Sequence, residues 1–120
     1  MSLVGKYLNQ STGETLEIKE ANDSNGQLSG TLSIPFNGQA LSAGVSGHYH
    51  FDNSTGAQTS IAFMGAVDNT SSTPSIYEGW AGVTDRNNNY AQLNVLGSKS
   101  VLDASGKSSV CTQGGPFVRQ

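Results

Sequence analysis

Apolar residues in this chain recur in short alternating runs, cut by clusters of Gly, Asn, Asp and Ser at roughly the eight-to-twelve-residue spacing of sandwiches and barrels. A two-residue period places alternate side chains on opposite faces, so each run reads as a strand rather than a helix. The first run, Val4 to Gln10, stops at Ser11-Thr12-Gly13. The second, Glu14 to Glu20, alternates Leu16 and Ile18 with Thr15, Glu17 and Lys19 and gives way to Asn22-Asp23-Ser24-Asn25-Gly26. Asn25-Gly26 predicts a tight type I′ hairpin, because both central residues of that turn need positive φ. The third run, Gln27 to Pro35, ends at Phe36-Asn37-Gly38, and the fourth, Ala40 to Phe51, carries Val45, Tyr49 and Phe51 on one parity. A turn is expected at Asp52 to Gly56. The fifth run, Gln58 to Val67, has Ile61, Phe63, Gly65 and Val67 on one face and Ala62, Met64 and Ala66 on the other. Two apolar faces predict that the second is covered by another subunit. Beyond Asp68 to Ser72 come a sixth run from Pro74 to Thr84, a polar turn from Asp85 to Asn89 and a seventh run from Tyr90 to Gly97. A turn of helix is expected at Val101 to Ala104, and a last strand from Lys107 to Val118.

Eight runs joined by short turns predict an eight-stranded antiparallel up-and-down β-barrel, since closure removes the unpaired edges of a flat sheet. A chain of 120 residues fills one such core and is expected to form one domain, residues 1–120. A barrel of this strand number leaves room for one small ligand. Six Lys plus Arg against nine Asp plus Glu leave no basic stripe for neutralising phosphates, so nucleic acid is not an expected partner. No apolar run approaches the roughly 18 residues of a membrane span, and Met1 to Gln10 lacks the basic start and apolar centre of a signal peptide. With Cys111 the one cysteine, no intrachain disulfide forms, which suits a cytoplasmic chain or a secreted one whose leader is absent. Asn-x-Ser/Thr triplets begin at Asn9, Asn22, Asn53 and Asn69, as chance produces in a chain of this composition.

Several segments, in order along the chain, resemble the avidin and streptavidin family. Gly5-Lys6-Tyr7-Leu8-Asn9-Gln10 resembles the family's opening Gly-x-Trp-x-Asn, and Asn25-Gly26-Gln27-Leu28-Ser29-Gly30-Thr31 resembles its Asp/Asn-Gly-x-Leu-x-Gly-x hairpin. Leu41 to Tyr49 resembles the strand ending in Gly-x-Tyr, and Ile61-Ala62-Phe63 stands where the family has Leu-Gly-Trp. Thr73-Pro74-Ser75-Ile76-Tyr77-Glu78-Gly79 is similar to Ser-Ala-Thr-Thr-Trp-Ser-Gly, and Lys107 to Arg119 to the closing Lys-Ser/Thr-x-x-Val-Gly-x-Asp-x-Phe-Thr-Lys.

The resemblance implies an avidin-like barrel that binds biotin without chemistry or cofactor, and assembly as a dimer or tetramer. It places Asn9 against the ureido oxygen, and Thr73 and Ser75 at the sulfur and the valeryl end. It also implies departures. Thr12 or Glu14 stands for the family's second-loop Ser, and Leu32 and Ile34 stand for its Tyr and Ser on the third strand. Phe63 and Tyr77 take Trp positions, the seventh-strand Trp falls near Leu96 or Gly97, the neighbour's Trp falls at Gly106, and the closing Asp falls within Gln113 to Gly115. The expected ligand set is therefore Asn9, Thr12, Leu32, Ile34, Phe63, Thr73, Ser75 and Tyr77. Losing polar contacts worth about 1.5 to 3 kcal/mol each removes several decades of affinity, so binding is expected to be weak.

Other residues carry rival readings. His48, His50 and Asp52 share a strand face in a spacing that metal sites use, but the sequence offers no further His, and a solvated polar face is the expectation. Cys111 is expected to be a small buried hydrophobe rather than a nucleophile, and no catalytic or metal set is expected. Trp80 has the opposite parity to Tyr77 and is expected to face outward with Ile76 and Glu78, covered by a second subunit or stacking on a sugar. A carbohydrate-binding lectin on the same barrel is the alternative function, and a scaffold for protein interactions a third.

Overall fold

The computed structural model describes residues 2–52, 57–70 and 72–120. Its strands are β1 (Gly5–Asn9), β2 (Glu14–Asn22), β3 (Gln27–Phe36), β4 (Gln39–Phe51), β5 (Gln58–Val67), β6 (Ser75–Asp85), β7 (Gln92–Leu102), β8 (Ser108–Gln113) and β9 (Phe117–Arg119), with a 3-10 turn at Arg86–Asn88. Consecutive strands from β1 to β7 pair antiparallel. The sheet closes because β1 pairs with β9 while β7 holds both β8 and β9. β8 and β9 lie end to end along β7, at residues 97–102 and 92–93, and together make the eighth stave of an antiparallel barrel. The last strand is interrupted at Gly114-Gly115-Pro116, where Gly115 takes φ +97° and Pro116 has no N–H to give a ladder.

Turn chemistry departs from the expectation at two hairpins. The type I′ turn lies at Asn37-Gly38, with φ of 48° and 78°, between the paired Phe36 and Gln39. At the β2–β3 hairpin the paired residues are Asn22 and Gln27, so the loop has four residues and Gly26 alone takes positive φ, 70°. Asn22 and Asn25 instead fold that loop with their side chains, their Oδ1 atoms accepting from the N–H groups of Ser24 and Gln27. The helical turn expected at Val101 to Ala104 is absent: β7 continues through Leu102, and Asp103 Oδ1 shapes the β7–β8 turn by accepting from the N–H groups of Ser105 and Lys107. The turn expected at Asp52 to Gly56 falls on residues 53–56, outside the described residues, as residue 71 of the next turn does.

Inward parity builds the core. On β5 burial alternates residue by residue, Ile61 and Phe63 inward and Ala62 and Met64 outward. Phe63 stacks on Trp80 at 6.3 Å, and Phe117 meets Trp80 edge-on at 5.0 Å, filling the middle of the barrel. Gly97 makes room for the indole, since a Cβ there would lie 2.6 Å from Trp80 Cδ2. Leu3, Tyr7 and Tyr90 plug one end, where Arg119 lies over the Tyr7 ring at 5.1 Å and donates to the Tyr7 hydroxyl and the Val4 carbonyl.

Candidate functional site

The opposite end of the barrel gathers three of the buried polar side chains, Asn9, Glu14 and Glu78, while Thr59 and Thr84 pair toward the plugged end. The finish of β1, the start of β2, the finish of β3, the start of β6 and the finish of β7 meet there, bringing in Asn9, Glu14, Leu32, Ile34, Ile76, Glu78 and Lys99. Asn9, Leu32 and Ile34 are fully buried. The Asn9 amide is already engaged: Nδ2 donates to the Gly115 carbonyl at 3.1 Å, and Oδ1 accepts from the N–H groups of Ser11 and Thr12 at 3.0 and 3.2 Å. It ties the β1–β2 turn to the break between β8 and β9. Thr12 is half-buried at the rim, and its hydroxyl accepts from the Glu14 N–H at 3.2 Å.

Glu78 and Lys99 are cross-strand partners on β6 and β7, and Glu14 reaches them from β2 on the far wall. Lys99 Nζ lies 3.7 Å from Glu78 Oε2 and 3.9 Å from Glu14 Oε2. Both carboxyl groups are 1% exposed, whereas the Lys99 side chain keeps 19% of its surface in solvent. Trp80 Nε1 donates to Glu78 Oε1 at 2.9 Å, but Glu78 Oε2 and both Glu14 oxygens have no hydrogen-bond partner among the described residues. Burial pushes the Glu14 carboxyl up to about 9, helped by the facing Glu78 and opposed by the Lys99 charge and the Thr12 hydroxyl. At neutral pH Glu14 therefore holds a proton.

β6 overturns part of the expected site. Its inward residues are Ile76, Glu78 and Trp80, and the indole is 2% exposed, so Trp80 does not face outward. Tyr77 has the opposite parity, lies 45% exposed and donates from its hydroxyl to Asp68 Oδ1 at 3.0 Å; it does not line the interior. Thr73 and Ser75 sit in and beside the β5–β6 loop, Thr73 sharing a 2.7 Å hydroxyl contact with Thr70 and Ser75 Oγ accepting from the Asn69 N–H at 3.1 Å. The parity of this strand is what alternation predicts; its phase is not, because the resemblance put Tyr77 at an inward Trp position and so sent Trp80 to the other face. Leu32, Ile34 and Phe63 point inward as expected. Glu78 and Lys99 were missed. Lys99 follows Leu93, Val95 and Gly97 at every second position, and that continuation is the signal that could have found it.

On the outer face, His48 and His50 are exposed on β4, and no group of three or more His, Cys, Asp or Glu side chains is placed to hold a metal among the described residues. Cys111 is exposed on β8, not buried as expected. Residues of β2 to β7, among them the outward Ser46, Met64, Ala81 and Leu96, line a broad depression of about 1030 Å³ at the waist of the barrel.

Comparison of the chain with family models finds no match, and comparison with curated proteins finds none either. Among solved structures it is similar to that of bradavidin2 in complex with biotin, at 20% sequence identity and a TM-score of 0.68, covering 100% of this chain and 99% of that one. The fold is therefore avidin-like, over its whole length and by geometry rather than by close sequence likeness.

Proposed function

We propose that this avidin-like chain is a non-catalytic binding protein that takes biotin, or a small molecule of its kind, weakly in the barrel end lined by Asn9, Thr12, Leu32, Ile34 and Phe63, beneath the rim residues Thr73 and Ser75. The observation that carries this reading is the concentration of buried, partly unpartnered polar atoms at one end of a closed apolar barrel. A buried acceptor without a donor costs about 1 to 3 kcal/mol, and a polar ligand that enters between β2 and β6 relieves that cost. The complex of bradavidin2 with biotin, a structure of the same fold, supports a small molecule as the ligand. Weak affinity follows from the side chains: the Asn9 amide has internal partners, and Leu32 and Ile34 offer no hydrogen bonds.

Calorimetric titration with biotin tests the proposal. We expect a dissociation constant of about micromolar or weaker, with the heat lost in Asn9→Ala; wild-type protein that gives no heat at about millimolar biotin overturns biotin as the ligand. The sugar-binding alternative drew on the polar Asn/Ser/Thr loops, the departures from the biotin set and an outward Trp80, and the burial of that ring removes the one aromatic platform it counted on. We further propose that the outer waist is covered by a second copy of the chain. Exposed Met64 and Leu96 beside the small Ala62, Gly79 and Ala81 support that contact.

A further inference from the structure

The buried polar cluster inside the barrel holds two carboxyl groups and one ammonium, so with all three ionised it is one positive charge short. Its carboxyl oxygens without a hydrogen-bond partner among the described residues, Glu14 Oε1, Glu14 Oε2 and Glu78 Oε2, are all acceptors once both groups are ionised, and a further such buried acceptor, Gln113 Oε1, ends β8 opposite Gly97. A group that satisfies this set must bring N–H donors. The Lys99 ammonium, the nearest cation, stays 3.7 and 3.9 Å away, outside hydrogen-bond distance of both carboxyl groups. A planar head with two N–H edges can span facing carboxylates where a point charge on a tetrahedral nitrogen cannot.

We propose that the subsite formed by Glu14, Glu78 and Lys99 takes a ligand head that is cationic and carries N–H donors, an amidinium or guanidinium group rather than a neutral cyclic urea. The inference rests on the reading that the barrel end binds a small molecule, and it names the chemistry of that molecule's head. The groups acting on Glu14 are Glu78 from β6, Lys99 from β7 and the Thr12 hydroxyl of the β1–β2 turn. In the free protein a proton on Glu14 makes up the missing charge. When the cation enters, the Glu14 O–H bond breaks, its electron pair stays on the carboxylate, and the proton leaves to the buffer. The head and Lys99 then balance Glu14 and Glu78, two charges against two. Lys99, partly in solvent on a flexible stem, is the member free to yield space.

The test compares biotin with 2-iminobiotin, its analogue with a guanidino group in place of the urea, by calorimetry on the full chain near pH 7 in buffers of different ionisation enthalpy. We expect the iminobiotin to bind at least about tenfold tighter, with close to one proton released per ligand, and its affinity to rise by up to about tenfold per pH unit below pH 9. Glu14→Gln is expected to abolish both the preference and the proton release, its fold checked by near-ultraviolet dichroism; the proton count on the wild-type chain needs no variant. Biotin bound as tightly as iminobiotin, or iminobiotin bound without proton release, overturns the cationic head and leaves the binding reading standing. No heat with either compound overturns both.

Discussion

Glu14 is a buried carboxylic acid whose oxygens have no hydrogen-bond partner among the described residues, and that condition has a consequence for stability as well as for ligands. Its folded-state value, about 9, stands above the ordinary 4.5, so between those limits the folded protein keeps a proton that the unfolded chain has lost. Stability from this group is fully present below the unfolded value and declines as pH rises, by at most about 1.4 kcal/mol per pH unit. Glu14→Gln keeps the neutral shape and cannot ionise, so urea denaturation between about pH 5 and pH 9 should give a flatter profile for the variant than for the wild-type chain. An unchanged slope would mean that Glu14 is solvated in the folded state. Ile34 makes the complementary case. It is fully buried where the ligand would lie, so Ile34→Ser should lower stability by about 2 to 4 kcal/mol through the cavity it opens. The same change supplies a hydroxyl donor and space, and calorimetry should show biotin binding strengthened.

Hairpins show which local signals decide an element and which do not. Gly38 takes φ 78° with nothing within 4 Å of an added Cβ, so Gly38→Ala pays only for left-handed backbone, about 1 to 2 kcal/mol. Gly26 takes φ 70°, and a Cβ there would come within 2.4 Å of the Tyr49 carbonyl oxygen, so Gly26→Ala must cost more. Equal denaturation midpoints for the two variants would refute that ranking. Both Asn-Gly pairs look alike as sequence; the difference lies in the partner strand, because Gly26 O accepts from the Tyr49 N–H and so belongs to a contact no local pattern reveals. The same limit governs the site. Strand positions were legible from alternation and punctuation, and Leu32 and Ile34 were legible as inward because their run has one apolar face, whereas Phe63, on a run apolar on both faces, was placed by the family resemblance. β6 has apolar residues on both parities, Ile76 and Trp80 on one and Tyr77 and Val83 on the other, so its phase depended on where Glu78 went. Glu78 is buried where the Trp80 indole donates to it and Lys99 stands opposite on β7, the second a partner distant in the chain.

At the scale of the molecule, closure leaves no free edge along most of the sheet, so association has to use faces. The outer waist is where the face is least suited to water: Leu96 is 73% and Met64 51% exposed, on neighbouring ground with Ala62, Gly79 and Ala81. Small residues let two barrels approach closely while the two long side chains fill the depression of about 1030 Å³, which a convex protein surface would not offer. Light scattering coupled to gel filtration should therefore give a mass at least twice the 12.5 kDa of one chain. Met64→Lys together with Leu96→Lys puts like charges on both sides of a symmetric contact and should return the protein to that single-chain mass without loss of its strand signal, since both positions face away from the core. Should the doubly substituted protein keep the wild-type mass, the contact lies elsewhere on the barrel; should the wild-type protein be monomeric at high concentration, the waist is a bare surface and the assembly reading fails.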